Sequence, residues 1–131
     1  MRELTTRQTA QAASHYGEIE RQVRVLKYLE TRQDSNWLEN LILHINEGAL
    51  SVRVRDDWYT MGENYEENAP HEYEILLSWG GPAVRIVGKL DHYGEPDSAV
   101  LEFQDWGIPW TPMYEDGPLV DYARCWYFGQ F

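Results

Sequence analysis

The chain has 131 residues, 11 Lys and Arg against 22 Asp and Glu, a formal net charge of -11, and one cysteine. That length is enough for one ordinary domain to bury a core without disulfides or metal, and a hydrophobic fraction of 43% excludes a disordered acidic tail. The composition also argues against a membrane span, a secretory leader and an internal disulfide, so a single cytoplasmic domain over 1–131 is expected, with a helical region over about 6–47 and a sheet region over about 49–131.

The first predicted element is a helix. Ala10, Ala13, Tyr16, Ile19, Val23, Leu26 and Leu29 step by three or four and define one apolar face, while Glu18, Glu20, Arg21, Arg24 and Lys27 lie elsewhere. Gly17 weakens its middle. Asp34 or Ser35 suits the N-cap of a second helix, in which Trp37, Leu38, Leu41, Ile42 and Ile45 form a stripe before Gly48 supplies a stop. The two helices can form a hairpin, and both stripes are expected to pack on a sheet rather than to line a separate partner-binding groove.

The period then changes to two. Leu50, Val52 and Val54 alternate with Ser51, Arg53 and Arg55, the pattern of a half-buried strand, and 62–70 reads as an acidic loop. Further strands are expected at 72–79, closed by Gly80-Gly81-Pro82, at 83–90, and at 98–106 after the turn cluster Asp91-His-Tyr-Gly-Glu-Pro96. Short connections favour an antiparallel meander. Leu119 to Phe128 reads as a terminal helix opened by Pro118, with a fifth strand as the alternative. The fold class is therefore α+β, with N-terminal helices on a mainly antiparallel sheet of four to five strands.

Charge is segregated along the chain. Residues 1–35 carry a net +1 and residues 36–131 a net -12, with seven carboxylates from Asp56 to Glu74 and eight from Asp91 to Asp121, uninterrupted by Lys or Arg. Direct nucleic-acid binding is disfavoured, because phosphate affinity comes chiefly from cationic side chains. A cationic protein surface, including one that normally holds nucleic acid, is the complementary partner. The candidate partner-binding residues are Glu63, Glu66 and Glu67 in the acidic loop, with Asp91, Glu95, Asp97, Asp105, Glu115 and Asp116. Trp106, Trp110 and Tyr114 are the candidate short-range anchors beside them.

No catalytic motif accompanies these residues. The four histidines lack zinc-site spacing, Cys125 has no CxxC partner, Ser78 lies outside a Gly-x-Ser-x-Gly elbow, and the Glu63–Asn68 loop does not match an EF-hand, so neither cofactor nor metal is expected. An enzyme would need Ser78, Asp91, His92 or Asp105 to converge in one pocket. A carbohydrate or small-ligand site would use Trp106, Trp110, Tyr114 and Asp105 as a cradle, and an assembly role would expose the Leu38/Leu41/Ile45 stripe for homodimerisation.

Three blocks carry a resemblance: Glu74–Ile86, Leu101–Thr111 and Tyr122–Gly129. They are similar to a family of small uncharacterised accessory proteins from bacterial plasmids, prophages and integrative elements. The resemblance implies a bacterial host cytoplasm and a counter-defence role of the anti-CRISPR or antirestriction type, exercised by occupying a nucleic-acid-binding surface. It implies no catalytic residues.

Overall fold

A computed structural model describes residues 6–55, 71–80, 82–105, 107–126 and 128. The candidate residues Glu63, Glu66, Glu67 and Trp106 lie outside those described. In chain order the elements are α1 (Thr6–Thr31), α2 (Ser35–Glu47), β1 (Ser51–Arg55), β2 (Glu72–Ser78), β3 (Ala83–Lys89), β4 (Val100–Gln104), β5 (Thr111–Glu115) and α3 (Pro118–Ala123). The architecture is α+β. The five strands form one antiparallel sheet in the order β1-β2-β3-β4-β5, and the short α3 packs against α1.

Alternation along the strands separates two sheet faces. Tyr73, Ile75 and Leu77 of β2 are buried on the helix side, as are Val84 and Ile86 of β3 and Leu101 and Phe103 of β4, because their ladder partners share that face. Among the described residues the other face carries the intervening positions and no helix. β5 lies where no strand is expected: Pro112, its second residue, removes a backbone donor, which is tolerated because β5 is an edge strand. A register shift between Leu101 and Glu102 accompanies it.

The helices follow their capping chemistry. Asp34 caps α2 by accepting the Trp37 amide at 3.3 Å, and Pro118 opens α3 at a position that needs no amide donor. The buried line of α1 is Ala12, Ile19, Val23 and Leu26, with Tyr16 half-buried, whereas Ala10 and Ala13 are exposed. A run of steps of three drifts backwards by about 60° per step on a 3.6-residue helix, so those two alanines leave the core-facing line. Trp37, on the flank of the α2 stripe, is 66% exposed. Leu38, Leu41 and Ile42 are half-buried and Ile45 is buried, all within the core packing, so the stripe proposed for self-association is occupied. α2 pairs with α1, the hairpin arrangement, and its Ile45 lies in the same core cluster as the buried residues of the sheet.

The expectation that β1 is half-buried needs a similar correction. Val54 is half-buried against the core, but Val52 is 38% exposed and the preceding Leu50 62%, in keeping with the edge position of β1.

A candidate interaction site at one end of the sheet

The strands place the candidate residues at two opposite ends. The β3–β4 connection and the end of β5 bring Asp91, Glu95, Asp97, Glu115 and Asp116 together, while Asp105 and Trp110 lie at the other end, between β4 and β5. The separation follows from strand length, at about 3.3 Å per residue.

The acidic end is built by its own hydrogen bonds. Asp91 Oδ1 accepts the Tyr93 amide at 2.9 Å and the Glu95 amide at 3.0 Å, and the Asp91 amide donates to the Glu95 carbonyl at 2.8 Å. The hydrogen bond from Glu95 holds the Asp91 carboxyl below the usual carboxylate range, aided by that from Tyr93. Gly94 adopts φ 80, the left-handed conformation this tight turn requires. Asp116, at φ 52, donates its amide to the Ala99 carbonyl at 2.7 Å and accepts the Ala99 amide on Oδ1 at 3.2 Å. Asp91 and Asp116 are thus turn builders, and Glu95, Asp97 and Glu115 are exposed with their carboxylates projecting. Arg124 Nε donates to the Pro96 carbonyl at 3.1 Å and ties the turn to the end of α3.

A lock beneath the turn sets its position. Tyr73 reaches from β2 across Gly88 of β3, and its hydroxyl donates to the Ser98 carbonyl at 2.6 Å. Burial pushes the Tyr73 phenol far up. Ser98 Oγ in turn accepts the Lys89 amide at 3.0 Å.

One aromatic residue at this end escaped sequence reasoning. Tyr93 is 75% exposed in the turn between Asp91 and Glu95, with its ring centroid 3.9 Å from that of His92. The available signal was its position: an aromatic residue inside a turn cluster has no strand neighbour to bury it. Tyr114, by contrast, is stacked on Tyr16 of α1 with centroids 4.0 Å apart, on the helix side of the sheet. Trp110 covers the Arg85 guanidinium at 4.1 Å on the open face. Trp110 and Tyr114 therefore face opposite sides, and together they form no sugar cradle.

Arg85 belongs to a second feature that sequence reasoning missed. On the open face Arg53 of β1 pairs with Glu74 of β2 at 2.7 Å, Arg85 of β3 bridges Glu74 at 2.8 Å and Glu102 of β4 at 2.9 Å, and Arg55 pairs with Glu72. These residues border a groove of about 610 Å³. The signal was present as a sign that alternates from strand to strand: basic in β1, acidic in β2, basic in β3, acidic at Glu102. Opposite charges directly across a ladder stabilise a pairing, so this pattern also favours the meander order.

The residues whose convergence would mark an enzyme are dispersed. Asp91 and His92 lie at the acidic end, Ser78 and Asp105 at the opposite one. Ser78 Oγ accepts from Gln11 Nε2 at 3.4 Å and lies 3.5 Å from the Pro82 carbonyl, within the β2–β3 turn. A smaller cleft of about 420 Å³ between α1, α2, Leu77 and Tyr122 contains His15 and His44 and none of those four residues; burial lowers the His15 pKa. Among the described residues no group of His, Cys, Asp and Glu has metal-binding geometry, and no helix is long and apolar enough to cross a membrane. No family model matches the chain, and neither the curated proteins nor the solved structures give a match.

Proposed function

We propose that the chain is a protein-binding inhibitor whose acidic end occupies the cationic, nucleic-acid-binding surface of a host defence complex. The observation that carries this reading is the placement of Glu95, Asp97 and Glu115, from separate stretches of sequence, at one end of the sheet, with the exposed Tyr93 in the same turn as Glu95. Carboxylates supply long-range attraction to Arg and Lys, and a desolvated tyrosine supplies the short-range anchor. The mobile-element setting, and with it the anti-CRISPR or antirestriction character, rests on the resemblance of the three sequence blocks.

The test is capture from a nuclease-treated bacterial lysate, with the unmodified chain and with Glu95→Lys/Asp97→Lys/Glu115→Lys as baits. All three positions are exposed, so the variant keeps the fold. A nucleic-acid-binding protein retained at about 50 mM salt should be lost at about 500 mM, where charge interactions between exposed groups are screened within a few ångströms. The triple variant should not retain it. Equal capture by both baits, or capture indifferent to salt, sinks the proposal.

A further inference from the structure

The two edges of the sheet are treated differently. β5 is guarded by Pro112, its second residue, by the register shift opposite Leu101 and Glu102, and by Tyr16 over Tyr114. Among the described residues β1 has none of these devices. It pairs with β2 in unbroken register from Ser51↔Leu76 to Arg55↔Glu72, contains no proline, and ends the sheet order. Leu50 at 62% and Val52 at 38% exposure lie on its helix side, and Trp79, 71% exposed, sits at the same end of the β1–β2 pair. Arg53 and Arg55 line its open side, their side chains 72% and 78% exposed.

We infer that β1 is a self-association edge, pairing antiparallel with β1 of a second copy about a two-fold axis at Val52. Charge and apolar pattern select this register. A two-fold pairing that keeps both helix layers on one side must be centred on a residue, because neighbouring side chains point to opposite faces. Centred on Arg53, the ladder sets Arg53 directly opposite its own copy. Centred on Val54, it sets Arg53 opposite Arg55 twice, and like charges across a ladder are destabilising. Centred on Val52, it pairs Val52 with Val52, Leu50 with Val54, and Ser51 with Arg53. Centred on Ser51, the ladder would leave Val54 opposite Gly48 at the end of α2, so the Val52 register is the one that pairs Leu50, Val52 and Val54 with one another while keeping each arginine away from a directly opposed arginine. The two five-stranded sheets then become one continuous sheet, related by an isologous interface.

The ladder is short, so the interface falls at the small end of specific associations and its dimer is concentration-dependent. Each copy carries -11, so added salt should strengthen it, the reverse of the dependence expected for a cationic partner. The assay is sedimentation velocity of the full chain up to about 200 μM, a range suited to weak interfaces of this size. It is combined with disulfide trapping of Val52→Cys and Arg53→Cys, each in a Cys125→Ser background. The expected result is a reversible dimer weakened at least tenfold by Val52→Lys, together with trapping at Val52→Cys at least tenfold faster than at Arg53→Cys. Circular dichroism confirms that each variant is folded before its result is read. A chain that stays monomeric throughout, or an Arg53→Cys variant that cross-links as fast as Val52→Cys, overturns the inference.

Discussion

Substituting Tyr73 and Gly88 separates a hydrogen bond from a steric constraint at the base of the acidic turn. Tyr73→Phe removes the donor held 2.6 Å from the Ser98 carbonyl and leaves that partly buried oxygen without the phenol. An unmade bond of this kind costs about 1–3 kcal/mol. At the lower half of that range, the melting temperature of a domain this size falls by about 5 °C. Gly88→Ala is more severe. The added Cβ would stand 1.9 Å from the Ser98 carbonyl oxygen, 2.8 Å from its carbon and 2.7 Å from the Tyr73 hydroxyl. The backbone at Ser98 must then retreat by about 1 Å, which disturbs both the Tyr73 and Lys89 hydrogen bonds to that residue; overpacking and lost bonding together cost about 3 kcal/mol or more. Because the nearest obstacle is backbone, Tyr73→Phe does not relieve the clash, and the double variant should be at least as unstable as Gly88→Ala. Urea unfolding followed by circular dichroism gives the three values. A double variant as stable as Tyr73→Phe alone, or Gly88→Ala within about 0.5 kcal/mol of the unmodified chain, would refute the steric reasoning.

Two further stability predictions follow from charge and titration. Arg85→Met leaves the Glu74 and Glu102 side chains, 12% and 16% exposed, on either side of an apolar residue, with Arg53 still holding Glu74. The expected loss is about 2–4 kcal/mol, below the range for a fully buried broken pair, and adding Glu74→Gln and Glu102→Gln should recover most of it in chemical denaturation. A loss under about 0.5 kcal/mol would contradict the ladder's role. At alkaline pH, burial raises the Cys125 thiol from 9.0 to about 11 and the Tyr122 phenol from 10.0 to about 12. Both folded values lie above the unfolded ones, so the associated stability is whole below about pH 9 and is lost as pH rises towards 12. Cys125→Ser should remove the part of the loss that begins near pH 9 and leave the tyrosine part, which begins near pH 10; melting temperatures between about pH 8 and 11 that coincide for the two chains would exclude the thiol.

The local elements were largely legible. Period-two alternation marked β1, turn residues bracketed the strands that follow it, and Asp34 and Pro118 marked helix starts. β5 was hidden because proline reads as a strand breaker until the strand is known to lie at an edge. Ala10 and Ala13 were placed on the wrong side of α1 because steps of three alone drift off the core-facing line.

The candidate site was legible in part. Glu95, Asp97 and Glu115 could be named as exposed acids of turn and loop character, but nothing local joined residues 95 and 97 to residue 115; the antiparallel path of β4 and β5 did. The same path carried Asp105 and Trp110 to the opposite end and turned Tyr114 towards α1. The sequence by itself determined the alternation of apolar and charged positions, and with it the charge sign of each strand's solvent side. Which strands are edges, which end of the sheet gathers acid, and which aromatic rings remain exposed were decided by tertiary structure, because each depends on ladder register and layer contacts between residues distant along the chain.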